Sequence, residues 1–180
     1  MSKDKILTSS TVAVLAASTL TVMAGSAIAP ALPYMYDAYQ NENYADLKVR
    51  MAIGLSELFT MLFSLVLGKW SDRADYIFIL KSGLVIVLVS AALGFVSQNL
   101  TVFLLSRCIL GVGVAAIAIS IAAWIGVAFT GDVKNKVTGY YGTVMEGSGI
   151  IYFSLAGILA LVHWRAVVLT YFYASFFTKS

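Results

Sequence analysis

From Leu100 to Phe129 the chain is predominantly apolar and carries a single charge, Arg107. A run of more than about 18 apolar residues with almost no charge reads as a helix that crosses a bilayer. Only a helix or a closed barrel satisfies its own backbone polar groups in hydrocarbon, so this run restricts the whole chain to an all-α membrane fold. Five further apolar segments surround it, at about Thr11–Tyr36, Met51–Trp70, Tyr76–Val96, Val137–Leu161 and Ala166–Phe177. Five of the six are long enough for a hydrocarbon core of about 30 Å. The last holds twelve residues, short of a full crossing, which is the length expected of a chain cut within its sixth helix.

Composition agrees. Hydrophobic residues make up 60% of the chain and charged ones 12%, about half the charged share of a soluble domain. The net charge of +3 is no nucleic-acid signal, because the basic residues are scattered near helix ends and form no patch. The one cysteine, Cys108, excludes an internal disulfide framework and a multi-cysteine metal site. The first apolar run is too long for the core of a cleavable signal peptide and is followed by more membrane segments.

The loops give an orientation. With the N-terminus inside, the inner segments hold Lys3, Lys5, Lys69, Arg73, Lys81, Lys134, Lys136 and Lys179, and the outer ones Lys48, Arg50 and Arg165. Lys/Arg excess marks the cytoplasmic side, so both termini are expected in the cytoplasm of a multi-pass protein of the plasma or cell inner membrane. The longest outer loop is then about Asp37–Lys48, a solvated polar hairpin. A faint repeat at an offset of ninety residues pairs Thr11-Val12 with Thr101-Val102 and Phe63-Ser64-Leu65 with Phe153-Ser154-Leu155. This offset carries the first helix onto the fourth, and an odd number of crossings inverts the second copy. Inverted three-helix repeats are a transporter architecture.

Charges inside the membrane are the candidate functional groups. An Arg near the middle of a membrane helix costs about 2.5–3.5 kcal/mol on insertion scales and usually faces a cavity or a partner. Arg107 therefore reads either as a cavity charge that binds an anionic group or assists proton coupling, or as a side chain snorkelling to the outer interface. Glu57, expected early in the second helix, and Glu146, early in the fifth, are the intramembrane carboxyls. Such groups can take up and release a proton during a cycle, or act as hydrogen-bonded structural acids. Gly139, Gly142, Gly147, Gly149 and Gly157 make the fifth helix glycine-rich, which permits close helix packing or bending during rocking, packing being the expectation. Trp70, Trp164, Tyr34, Tyr36 and Tyr76 fall at helix ends, as interfacial anchors do. His163 stands alone, and no phosphate loop, zinc spacing or nucleophile–base pair is present, so neither an enzyme nor a bound cofactor or metal is expected.

Between the second and third segments lies a charged island, Gly68-Lys69-Trp70-Ser71-Asp72-Arg73-Ala74-Asp75, with Lys81 further on. Gly68, Asp72 and Arg73 fall on the first half of a GxxxDRxGRR pattern. Arg107, Gly111 and Gly113 fall on an Arg followed by glycines and small residues in the fourth helix, and Trp164-Arg165 opens the sixth. On these motifs the chain resembles the N-terminal six-helix half of the major facilitator superfamily. Its Ala-Pro-Ala-Leu-Pro stretch around Pro30 and Pro33, which ends the first helix, is similar to the drug/proton antiporter branch. The pattern departs where Asp75 replaces a glycine and Tyr76 and Ile77 replace two basic residues, and the fifth helix lacks the glycine-proline element of the antiporters.

The resemblance implies a single domain over residues 1–180, with six transmembrane helices as two inverted three-helix repeats. It implies one half of a secondary transporter of small solutes, its partners being the bilayer, a solute, protons and a second six-helix half, with efflux coupled to protons. Arg107, Glu146 and Glu57 would line the substrate and proton pathway. Gly68, Asp72 and Arg73 would form a gating loop whose Asp latches onto the other half. A truncated half with little transport of its own, a homo- or heterodimeric half-transporter, and an accessory membrane protein without transport are the three forms such a chain can take.

Overall fold

The computed structural model describes residues 9–41, 43–71, 75–97, 99–162, 167, 170 and 171. Among these it is all helical: α1 (Ser9–Ser26), a 3-10 turn (Ala29–Ala31), α2 (Leu32–Tyr39), α3 (Ala45–Ser71), α4 (Tyr76–Val96), α5 (Leu100–Ala128) and α6 (Gly131–Val162). Five spans are long and apolar enough to cross a membrane: Val14–Tyr39, Ala45–Trp70, Tyr76–Val96, Leu100–Ala128 and Gly131–Leu161. Most of the sixth apolar run, with His163, Trp164 and Arg165, lies outside the described residues.

The helix edges differ from the apolar edges in three places. The first run is not one helix. Pro30 has no N–H to donate and disfavours helical geometry in the residue before it, so α1 stops at Ser26 and the chain turns before restarting as α2. The expected Asp37–Lys48 loop shrinks, because α2 runs on to Tyr39 and α3 begins at Ala45. That early start is polar but supported, since Arg50 Nε donates to both Asp46 carboxylate oxygens at 3.0 and 3.1 Å across one turn. Likewise α6 begins at Gly131, six residues before the apolar run, and carries Asp132, Lys134 and Lys136 on exposed helical turns. Gly131 has φ +58°, a left-handed conformation that a residue without Cβ adopts freely.

Caps fix the other junctions. Asp75 accepts from the Ile77 N–H at 2.9 Å and opens α4, and Asn99 accepts from the Thr101 N–H at 2.7 Å and opens α5. Each satisfies an N–H that the first helical turn leaves unpaired. The Asp that departs from the loop pattern is thus the N-cap of the next helix.

The centre of the fold is α5, the most buried span, packed chiefly against α3 and α4 and also against α1. Two glycines explain how closely it sits. A Cβ on Gly111 would collide with the Ser56 carbonyl oxygen and lie 2.7 Å from the Phe59 Cβ of α3. One on Gly113 would lie 2.9 Å from Val87 Cγ2 and 3.0 Å from the Gly83 carbonyl of α4. Across these contacts Thr60 Oγ1 donates to the Gly111 carbonyl at 3.2 Å, and Ser90 Oγ to the Ser106 carbonyl at 2.7 Å. Interhelical hydrogen bonds of this kind contribute about 0.6 kcal/mol on average in membranes. Ser90→Ala is therefore expected to lower stability by about that amount, measured as a small shift in unfolding by sodium dodecyl sulfate in mixed micelles.

The second packing unit is α1 against α6. Thr19 Oγ1 and Tyr152 Oη hydrogen-bond at 3.1 Å. A Cβ on Gly149 would meet Val22 at 3.0 Å, and one on Gly157 would meet Pro30 at 3.9 Å. Gly139, Gly142 and Gly147, in contrast, have nothing within 4 Å of a Cβ. The close-packing expectation for the glycines of this helix fits Gly149, whereas a Cβ on Gly157 would make an ordinary van der Waals contact. Broad faces of α3 and α6 remain exposed, including Leu58, Met61, Leu62, Leu65 and Val66 on the first and Ile150, Ile151, Phe153 and Ile158 on the second.

Candidate functional site

Arg107 is the eighth residue of α5 and is fully buried, at 0% exposure. It does not snorkel. Its guanidinium carbon lies 4.9 Å from the ring centroid of Phe103, one turn earlier on the same helix, and 5.1 Å from that of Tyr171. One terminal nitrogen, Nη1, donates to Tyr171 Oη at 3.1 Å. The phenol in turn donates to the Met23 carbonyl of α1 at 2.9 Å, with the Ala24 carbonyl at 3.4 Å. Among the described residues, Nε and Nη2 of Arg107 have no hydrogen-bond partner, so neither Glu57 nor Glu146 partners them.

The carbonyls reached by Tyr171 belong to the last turn of α1, just before the break. Ala27 and Ile28, which carry the chain from α1 to the 3-10 turn, fall at the middle of the Val14–Tyr39 span. The chain Arg107–Tyr171–Met23 therefore ties the buried charge of α5 to the end of a discontinuous helix. Irregular backbone at membrane depth is tolerated where it is buried in protein or lines a cavity. Here the phenol is a second donor to the Met23 carbonyl, which also accepts from the Ala27 N–H at 3.1 Å.

Glu57 of α3 approaches the same break. The long start of α3 makes it the thirteenth of 27 residues, at mid-helix rather than early in it. Its carboxyl Oε1 lies 3.1 Å from where a Cβ on Gly25 would be, one residue beyond Ala24. Glu146 is likewise central, the sixteenth of the 32 residues of α6, and stands exposed on that helix. Of the predicted pathway residues, then, Arg107 and Glu57 both reach the α1 break, and Glu146 stands apart on α6. Gly111 and Gly113 are where α5 meets α3 and α4. Gly68, in the last turns of α3, has nothing within 4 Å of a Cβ, and Asp72 and Arg73 lie outside the described residues. Trp70, Tyr34 and Tyr36 are exposed, as interfacial anchors are.

Two participants carried no readable signal. Tyr171 is one of many aromatics in the last apolar run, and nothing local marks it as the partner of Arg107. Gly25 is one of many small residues in α1. No group of three or more His, Cys, Asp or Glu that could hold a metal ion occurs among the described residues.

A set of membrane-length helices packed around a buried, partly unpaired cation beside a broken helix defines a polytopic membrane protein with a polar interior site. The chain belongs to the major facilitator superfamily, a family of membrane transporters rather than enzymes: the model of the Major Facilitator Superfamily matches residues 14–178. No curated protein sequence matches the chain.

Proposed function

We propose that the chain forms one six-helix half of a secondary transporter that exports a small solute in exchange for protons. The observation that carries this reading is the occluded Arg107 beside the α1 break. Transporters of this architecture place solute sites near the bilayer midplane, at discontinuous helices between repeated units.

The packing supports two inverted three-helix repeats. If α1 corresponds to α5 and α3 to α6, the α1–α6 contact is the counterpart of α5–α3, and both are present. The α4–α5 contact then corresponds to one between the expected sixth helix and α1, and Tyr171, which falls in that run, meets Met23. Glu57, touching the α1 break, and Glu146, on α6, are the proton carriers in this reading. Both stand on exposed helix faces, and a carboxyl in hydrocarbon calls for a polar partner. A second six-helix half, a separate chain or a second copy, covers these faces. Both termini are cytoplasmic, and Gly68, Asp72 and Arg73 form the gating loop on that side.

The test is solute-driven proton flux in proteoliposomes holding the full chain, with candidate solutes added on one side of an imposed pH gradient. The reading predicts flux that depends on the gradient in the wild type and loses that dependence in Glu57→Gln or Glu146→Gln. Solute movement indifferent to the gradient in all three proteins would overturn the proton coupling, and no movement of any solute would overturn transport by copies of this chain alone.

A further inference from the structure

We infer that the solute is an organic monocarboxylate, received by the free edge of the Arg107 guanidinium. This inference rests on the transporter reading above and names its substrate class.

A guanidinium presents two faces and a set of in-plane N–H groups. Aromatic rings of Phe103 and Tyr171 lie against this one, and Nη1 is already engaged by the Tyr171 hydroxyl. What remains is Nε and Nη2, which share one edge of the plane and have no partner among the described residues. Two parallel N–H donors on one edge match the two oxygens of a carboxylate. The whole side chain is removed from solvent, and a buried cation left without a counter-charge is strongly unfavourable.

The charge count selects a monoanion. Among the described residues, two aromatic rings and, through Tyr171, the main chain of Met23 and Ala24 stand around the guanidinium. A carboxylate neutralises the single positive charge. A dianionic phosphate would leave a net negative charge in the same low-dielectric surroundings, which is costly. The rings also suit an apolar solute body. A second source of the same chemistry is the protein itself, since the Glu57 carboxyl reaches the neighbouring Gly25.

The experiment is binding to the purified full chain in detergent, by thermal shift and calorimetric titration at neutral pH. The probes are benzoate and hexanoate, each paired with its neutral amide. The wild type is expected to bind the acids saturably and to ignore the amides, a comparison that needs no variant. Arg107→Lys keeps the charge but not the fork, and Arg107→Gln loses both. The first is expected to weaken binding and the second to weaken it by about 100-fold or more, the loss expected of two charge-assisted hydrogen bonds.

Equal responses to acids and amides, or acid binding that survives Arg107→Gln, would overturn the inference. So would a wild type that binds no acid while Glu57→Gln gains the ability, because Glu57 would then be the native occupant of the edge. The two readings fail separately. Carboxylate binding without flux defeats transport by this chain on its own and leaves the substrate class standing, whereas flux of neutral or cationic solutes with no carboxylate binding defeats the substrate class alone.

Discussion

Gly111→Leu is expected to leave no folded protein in detergent, and Gly111→Ala to destabilise the fold by about 1–3 kcal/mol, the usual range for overpacking a tight interior. The reason is the identity of the obstructing atoms. A Cβ at this position runs into the Ser56 carbonyl oxygen and approaches the Thr60 backbone nitrogen at 3.0 Å. Backbone atoms of α3 cannot move aside as a side-chain tip can, so the two helices must separate. Separation weakens the Thr60 to Gly111 hydrogen bond as well. It also disturbs α5 as a whole, because Gly113 holds the same helix against α4. The comparison that isolates the mechanism is Gly139→Ala on α6, where an added Cβ meets nothing within 4 Å. That change is expected to stay within about 0.5 kcal/mol, as surface substitutions do. Unfolding by sodium dodecyl sulfate in mixed micelles measures both, and equal effects at the two glycines would show that close approach of α3 and α5 is not what Gly111 provides.

Tyr171→Phe is expected to be the most damaging single-atom deletion. It keeps the ring against Arg107 but removes the oxygen that accepts from Nη1 and donates to the Met23 carbonyl. An unsatisfied buried donor costs about 1–3 kcal/mol, more when it is charged. Here the deletion leaves all three guanidinium nitrogens without protein partners among the described residues. Arg107→Met is expected to behave in the opposite way. It removes a buried charge, fills the space with an apolar side chain and leaves the Tyr171 hydroxyl bonded to Met23. Replacing buried ionic groups by apolar ones is often neutral or stabilising by about 1–4 kcal/mol. In the double variant the loss from Tyr171→Phe should largely disappear, giving a coupling energy of about 0.5–3 kcal/mol in a double-mutant cycle. Additive effects would mean that the phenol and the guanidinium do not act together.

The spans were legible because hydrophobic length is a property of consecutive residues. Leu100–Phe129 and Tyr76–Val96 coincide with α5 and α4 to within one residue. The edges of α3 and α6 were not, because polar turns extend those helices, in α3 through the Asp46–Arg50 pair. That extension moved Glu57 and Glu146 from the early turns to mid-helix. The prolines were read as the end of the first helix, but the break four residues before Pro30, with a second helix beyond it, depends on the restart of α2. Arg107 was visible as an isolated charge in hydrocarbon. Its surroundings were not, since Phe103 is local whereas Tyr171 and Met23 are 64 residues after it and 84 before it in the chain. A contact between distant helices leaves no periodic trace in any one of them. The same holds for Glu57 and Gly25, joined only by the crossing of α3 and α1.

The measurement that tests the account most directly is made on Arg107→Met alone, with stability and solute-driven proton flux read from one reconstituted preparation. If the guanidinium is held buried for recognition, the variant unfolds at the same or a higher detergent concentration than the wild type and carries no flux. A variant that transports at the wild-type rate would contradict the account, and one that fails to fold would show that Arg107 holds the helices together instead.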